Sequence, residues 1–447
     1  MSIAEVFANF SVNLDFDNLS TKLVEQTKLF FLDWLGSAFR GANEKPTQIV
    51  LETIKELNGK QESTVLADMS KNSCIMAALA NGVSSHVVEM DDLHRKGIFH
   101  PAAPVFSAAL PVAEKLHVSG KRFIEAIVVG YEVGIRTAEA IGESHYHFWH
   151  TTGTCGTFGA AASVAKLLSL DQDKTTWSIG SAGTQASGLW EFLTDNAMSK
   201  QLHPAKAAVN GIFSAFLAQK GFTGATSIFE GEKGFFKATS SDFDLKKATY
   251  KLGEDNFKIL ECSLKKHASC GHTHSSIDAV LDILSEHPIP PDNIEKINVS
   301  LYSQALDLLN KVKPTTPFFA KFSLPFCIAT AVIYRKVDLD AFTEQRLKDQ
   351  SILRMMEKIF VKRDEMLSNL YPEKWSAIVT IVTKDGSSYQ KRVDHPKGDP
   401  ENPMSKEEII NKYKDMSKKQ LKEKTDVLLN KILTLEEIDD ICNIFII

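Results

Sequence analysis

The chain has 447 residues, a formal net charge of −5 and a sequence pI near 6.2. That length exceeds what one core usually supports and predicts about two domains, while the mild acidity, with no long basic run except 406–424, where glutamates are interspersed, excludes nucleic acid as a partner. Six cysteines (Cys74, Cys155, Cys262, Cys270, Cys327, Cys442) without a CxxC pair, a start lacking the pattern of a secretory signal, and no run of about eighteen apolar residues predict a reduced, soluble, cytoplasmic protein with no membrane partner.

Residues 21–40 carry apolar side chains at helical spacing (Leu23, Leu29, Phe30, Leu32, Trp34, Leu35), with Ser20 or Thr21 as N-cap and Gly41 past the end. The pattern repeats over 46–57, 71–86, 103–116, 120–141, 158–168, 175–187, 205–220 and, more briefly, 234–240, so everything up to about Cys262 reads as helix, turn, helix. Small residues on the inner faces (Ala77, Ala78, Gly82; Gly159, Ala160, Ala161; Gly180, Gly183) let helices approach closely and predict a compact, layered helical domain. The Gly-rich run from Gly153 to Gly159 follows no strand, which makes a dinucleotide loop a weak reading. At 294–302 the period becomes two (Ile297, Val299, Leu301 on one face), and 375–383 with 388–393 form a hairpin through Asp385-Gly386. Helical stretches at 275–285, 326–334, 340–348 and 350–360 surround these strands. The expected fold is mainly α: an all-helical domain from 1–263 and 401–447, and a smaller α+β domain over 264–400. Pro396, Pro400 and Pro403 punctuate that domain's end, and Ser405 caps a charged helical tail that can pack back on the helical domain.

The densest chemistry lies in 84–104, where three histidines and three carboxylates fall between two helices in a segment broken by Gly97 and Pro101. A buried cluster of this kind must be paired or hydrogen-bonded, because an isolated charge out of water costs several kcal/mol or shifts its pKa. Three readings are open: a solvated, self-compensating loop of Glu89, Asp91, Asp92, Arg95 and Lys96; a divalent metal on Asp91, Asp92, His94 and His100; or a catalytic site. Four further segments favour catalysis. Residues 144–154 lead through His150, Thr151 and Thr152 into a helix expected to begin near Gly156 or Thr157, and hydroxyls with N–H groups at a helix start suit a substrate carboxylate. Residues 199–206 hold Lys200 and His203, a cation beside an acid/base group if the loop turns there. Residues 264–274 include Lys265, Ser269, Cys270, His272 and His274 at the expected domain junction, with no second ligand pair to complete a zinc site. Residues 320–327 bring in Lys321 at a helix start. Histidines, paired acids, lysines and hydroxyl-rich helix starts together suit an enzyme that holds a multiply anionic substrate and moves a proton at a carbon next to a carboxylate.

These stretches resemble one family. Glu89-Met90-Asp91-Asp92 followed by His100-Pro101, His150-Thr151-Thr152-Gly153-Thr154, Lys200-Gln201-Leu202-His203-Pro204, Gly221-Phe222-Thr223-Gly224, Glu230-Gly231, and Lys265 with Ser269-Cys270 and Thr273-His274 are similar, in order, to the motifs of the MmgE/PrpD family. The family includes 2-methylcitrate dehydratase, cis-aconitate decarboxylase and iminodisuccinate epimerase. The resemblance implies a large helical domain, a smaller α+β lid, a homodimer, and catalysis without cofactor or metal. By position it implies that Asp91 or Asp92, His100, His150, Lys200 and Lys265 are active-site residues. His100 or His150 would be general base or acid, and Lys200, Lys265, Thr151 and Thr152 would hold carboxylates, joined by His203, Ser269, His274 and Lys321. Decarboxylase relatives have an aspartate where this chain has Glu89, and members acting on methylcitrate or cis-aconitate tend to have a tyrosine where it has Phe326. The leading expectation is a hydro-lyase acting on a small, 2-methylcitrate-like hydroxypolycarboxylate. An epimerase or isomerase of a dicarboxylate and a cis-aconitate-type decarboxylase use the same site, and a metal-dependent hydrolase is the alternative of another class.

Overall fold

The computed structural model describes residues 1–195, 197–254, 256–309 and 313–446. The chain divides into two compact units, Met1–Cys262 with Ser405–Ile447, and Ser263–Met404. The first is mainly helical and the second mixes helices with a sheet, and no described helix is long and apolar enough to cross a membrane.

Up to Gln219 the described residues of the first unit form eleven helices: α1 Ile3–Asn13, α2 Thr21–Arg40, α3 Lys45–Leu57, α4 Cys74–His86, α5 Ala102–Leu116, α6 Gly120–Ile141, α7 Glu143–Tyr146, α8 Thr151–Leu167, α9 Gln172–Gly183, α10 Phe192–Asp195 and α11 Ser199–Gln219. Hydroxyls start several of them: Ser20, Ser73 and Ser119 each accept the N–H three residues on, satisfying a donor the helix itself cannot. The central helices are buried on all faces. Every residue of α2 from Thr27 to Phe39 is buried, and Phe31 stacks on Trp34 and Phe106 at ring separations of 5.9 and 5.2 Å.

Small residues set how closely the helices meet. A Cβ added at Gly159 of α8 would lie 2.6 Å from the carbonyl oxygen of Gly130 in α6, and one at Gly211 of α11 would lie 2.5 Å from Ala160 Cβ. This packing decides where α8 and α11 begin, and here the sequence expectation fails. Helix α8 starts at Thr151 rather than near Gly156, because Gly153 and Gly156 are contact glycines pressed against Ser187 and Pro104, not loop glycines. Helix α11 starts at Ser199 rather than after Pro204, which sits inside it. A short hairpin, β1 Ser63–Val65 with β2 Ser70–Asn72, takes the first residues expected of α4.

The C-terminal helix Lys406–Leu421 belongs to this unit and packs along α2. Ser405 and Glu408 close a capping box, and Ile409, Tyr413 and Met416 form the buried face.

The second unit holds a four-stranded sheet of β3 Ile294–Leu301, β4 Ile359–Arg363, β5 Ala377–Thr383 and β6 Ser388–Val393, in the order β4-β3-β5-β6. Strand β3 pairs antiparallel with β5 (Val299 opposite Val379) and parallel with β4 (Val299 opposite Val361). The β5–β6 hairpin turns at Gly386, whose φ of 85° a side chain would strain, while Asp385 accepts the Ser387 N–H at 3.0 Å. Residues 350–360 were expected to be one helix. The helix ends at Met356 and Ile359 starts β4, since Ile-Phe-Val gains more as an edge strand on β3 than as a last helical turn. The helix His274–Glu286 packs against β5 and β6.

Candidate active site

The loop between α4 and α5 is closed on itself. His94 N–H donates to the Phe99 carbonyl at 2.7 Å and Phe99 N–H donates back at 3.1 Å. Glu89 and Ile98 hold left-handed backbone, φ 59° and 44°, which costs a non-glycine residue of order 1 kcal/mol each. Glu89, Asp91 and Asp92 are at most 2% exposed, so the loop is not the solvated, self-compensating one that composition permits.

Each buried acid is committed differently. His86, the last residue of α4, donates from Nδ1 to Asp91 Oδ2 at 2.6 Å. Asp92 accepts the Ala102 N–H at 3.0 Å and the Tyr131 hydroxyl at 2.8 Å, and burial, with the charge of Asp91 beside it, holds its carboxyl well above the usual range. Glu89 is ion-paired with Lys200 in the first turn of α11, both side chains at most 4% exposed. Asp91 therefore orients an imidazole, Asp92 fixes the start of α5, and Glu89 balances a lysine.

Four imidazoles converge over these acids. His100 Nδ1 lies 2.5 Å from the Asp92 carbonyl oxygen and 3.7 Å from Asp91 Oδ2. A carbonyl only accepts, so Nδ1 carries a proton, and in the neutral ring the lone pair is on Nε2. The His86 ring is 5.3 Å from that of His100 and 5.8 Å from that of His150. His150 Nδ1 is 3.2 Å from His203 Nδ1, a separation that requires one ring to donate and the other to accept. Burial, then the adjacent imidazoles and Lys200, hold His150 well below the ordinary histidine range, and burial with His86 and Lys200 brings His203 down to about 4. Both are neutral at pH 7. His86 Nε2 is buried, with no hydrogen-bond partner among the described residues.

The start of α8 fastens the loop from the other side. Thr151 donates its hydroxyl to the Ile98 carbonyl, and Thr152 Oγ1 accepts the His100 N–H at 3.3 Å. Because α8 begins earlier than expected, Thr154 lies a turn inside it, where its hydroxyl meets His145 Nε2 at 2.8 Å. His145 donates from Nδ1 to the Thr239 carbonyl and burial brings it down to about 4, so it is a satisfied structural histidine. With α11 beginning at Ser199, Lys200 and His203 fall three residues apart on one helical face.

Two contributors have little signature in the sequence. His86 lies in the dense stretch but on a helix of small residues, and its pairing with Asp91 depends on how α4 ends. Lys412, in the charged tail, reaches Asp33 Oδ1 at 2.5 Å and donates to the Met90 carbonyl at 2.8 Å, pinning the backbone between Glu89 and Asp91. The quartet considered for a metal does not converge. His94 turns its Nε2 toward Glu139 (3.5 Å) and Glu261 (3.8 Å), its Nδ1 accepts the Gly97 N–H, and Asp92 faces Tyr131.

Lys265, Ser269, His274 and Lys321 lie in the second unit and all are buried. Ser269 Oγ meets Thr273 Oγ1 at 2.7 Å, His274 donates from Nε2 to the Ser269 carbonyl at 3.3 Å, and the Lys321 ammonium stands 5.8 Å from the Phe342 ring centre. Burial brings His272 down to about 3, and it stacks on Trp375 at 4.0 Å, a second structural histidine.

An imidazole with a fixed lone pair, beside oriented neutral histidines and a buried Lys–Glu pair on a helical scaffold, is equipment for moving protons at a small anionic molecule. Residues 5–248 match the MmgE/PrpD N-terminal domain and residues 267–436 the MmgE/PrpD C-terminal domain. The chain belongs to the MmgE/PrpD family. It is 26% identical to the cis-aconitate decarboxylase-like protein oryM of Aspergillus oryzae over 98% of this chain and 96% of that one. It is 24% identical to a cis-aconitate decarboxylase of Aspergillus terreus (93% and 89% covered) and 26% identical to human cis-aconitate decarboxylase (98% and 93%).

Proposed function

We propose that this protein is a lyase acting on a small polycarboxylate, and that its reaction is elimination of water from a 2-methylcitrate-like hydroxy acid. The observation that carries this reading is His100, whose Nδ1 proton is held by the Asp92 carbonyl, leaving Nε2 as a base on a side chain 13% exposed while His86 and His150 are buried. In this reading Nε2 removes the proton α to a carboxylate. The C–H electron pair forms the alkene as the C–O bond breaks, and a neutral imidazole, His150 or His203, protonates the departing hydroxide. Lys200, drawn partly from Glu89, meets one carboxylate, and Lys265 and Lys321 are proposed for others on their motif positions. Homodimeric assembly and a cytoplasmic location complete the proposal.

The relatives named above favour a second reading, decarboxylation of a cis-aconitate-like acid, in which the carboxylate leaves as CO2 and a histidine returns a proton to carbon. Proton NMR in deuterated water with 2-methylcitrate, citrate and cis-aconitate separates the two. A new alkene from a hydroxy acid supports dehydration, deuterium in a product one carboxylate shorter supports decarboxylation, and deuterium exchange alone makes the protein an isomerase. His100→Ala lowers turnover by at least about two orders of magnitude; a near-normal rate overturns the assignment of the base.

A further inference from the structure

A second cluster of ligating side chains lies at the far end of α5. That helix rises about 1.5 Å per residue, so its C-terminal end stands roughly 20 Å from the His100 end. His117 caps it in left-handed backbone, φ 54°, with its side chain 68% exposed. The C-terminal segment is fixed against this turn by main-chain bonds: Gly120 N–H donates to the Ile438 carbonyl and Ile441 N–H to the Val118 carbonyl, both at 2.8 Å. This lattice brings Asp440 Oδ2 to 2.9 Å and Cys442 Sγ to 3.6 Å from His117 Nδ1. The other oxygen, Asp440 Oδ1, accepts the Cys442 N–H at 2.9 Å and so holds the carboxylate's direction.

We propose that His117, Asp440 and Cys442 form a binding site for a zinc-like divalent transition metal that fastens the C-terminal segment to the α5–α6 turn. One ligand atom from each of the three lies within 4.8 Å of the others. Around a tetrahedral ion with bonds of about 2.0–2.3 Å, neighbouring ligand atoms stand roughly 3.3–3.8 Å apart. The Nδ1–Sγ separation already fits, and the Nδ1–Oδ2 pair has only to open from hydrogen-bond distance. One imidazole, one thiolate and one carboxylate suit a borderline-soft ion over calcium or magnesium, and three protein ligands leave the fourth position to water.

Two other clusters of this size are less suitable. Between Glu139 and Glu261, beside His94, the Lys258 ammonium already stands 3.0 and 3.1 Å from the two carboxylates. The group His395, Asp399 and Glu401 contains no thiol. At Cys442, Sγ lies 3.3 Å from the Glu114 carbonyl. The ion would displace the thiol proton to solvent as the metal–sulfur bond forms, so binding releases about one proton and tightens with pH.

The test uses the full chain, stripped with chelator and titrated with Co(II), whose thiolate complexes give a near-ultraviolet charge-transfer band. One Co(II) per chain is expected, with that band, displaced by Zn(II). Cys442→Ser should abolish the band, and His117→Ala should weaken binding by more than about 100-fold. His117 is exposed, so its removal leaves folding intact, as far-ultraviolet circular dichroism checks. Absence of a thiolate band, or a band unchanged in Cys442→Ser, overturns the site. Neither result depends on the reaction proposed above.

Discussion

Breaking the Glu89–Lys200 pair gives a direct test of how the site is held. Both side chains are at most 4% exposed, so removing either takes away a close opposite charge from the other in the interior, a loss that runs up to about 3–5 kcal/mol. Removing both takes away the two opposite charges together, and replacing a buried pair by neutral residues of similar volume is often near neutral. The variants are Lys200→Met, Glu89→Gln and the double. Glu89→Gln keeps the side-chain shape at a left-handed backbone position, φ 59°, so it tests charge rather than strain. In a unit of this size each kcal/mol shifts the melting temperature by roughly 1–2 °C, so each single variant should melt about 3–10 °C lower and the double clearly less than the sum. Calorimetry on the four proteins closes the cycle. If the double variant's loss equals the sum of the single losses, the two charges are not coupled and the reasoning fails. Lys200→Met also removes a positive neighbour of His150 and His203, so both should titrate at higher pH than in the parent chain.

Lys412→Met should lower kcat about tenfold or more with a smaller change in KM, because it frees the Met90 carbonyl and loosens the backbone carrying Glu89 and Asp91; Lys412→Arg should recover part of it, and unchanged kinetics for Met would show that the tail does not position the loop. Stability should fall as pH drops below about 6.5. His145 and His272 titrate near 4 and 3 in the folded chain, so the unfolded state binds the extra protons in that window, and each costs about 1.4 kcal/mol per pH unit. Glu261, held at about 2, adds its loss only below about pH 4.5, so a melting temperature flat from pH 7 to 5 would contradict the histidine assignment. Gly159→Ala should cost about 1–3 kcal/mol, because the new methyl meets the Gly130 carbonyl oxygen at 2.6 Å, and melting unchanged within 1 °C would mean that α6 and α8 separate cheaply.

The helices 120–141 and 21–40 and the strand 388–393 were legible in the sequence to the residue, because period, hydroxyl caps and glycine stops are local properties of the chain. The dense stretch around Asp91 and His100, and the motif lysines and histidines, were legible for the same reason: residue types and spacing are written in one dimension. Tertiary packing decided the rest. Gly153 and Gly156 read locally as loop residues but serve as close contacts, so α8 begins at Thr151 and turns its first hydroxyls to fastening the loop between α4 and α5. Only the fold assigned Asp91 to His86 and Asp92 to Tyr131, two adjacent acids that the sequence cannot distinguish. It also decided that a lysine from the charged tail, more than 300 residues along the chain, holds the carbonyl between Glu89 and Asp91. Local propensity names the groups that can do chemistry; which partner each one meets is set by contacts between segments remote in sequence, where burial turns a hydrogen bond or charge into several kcal/mol.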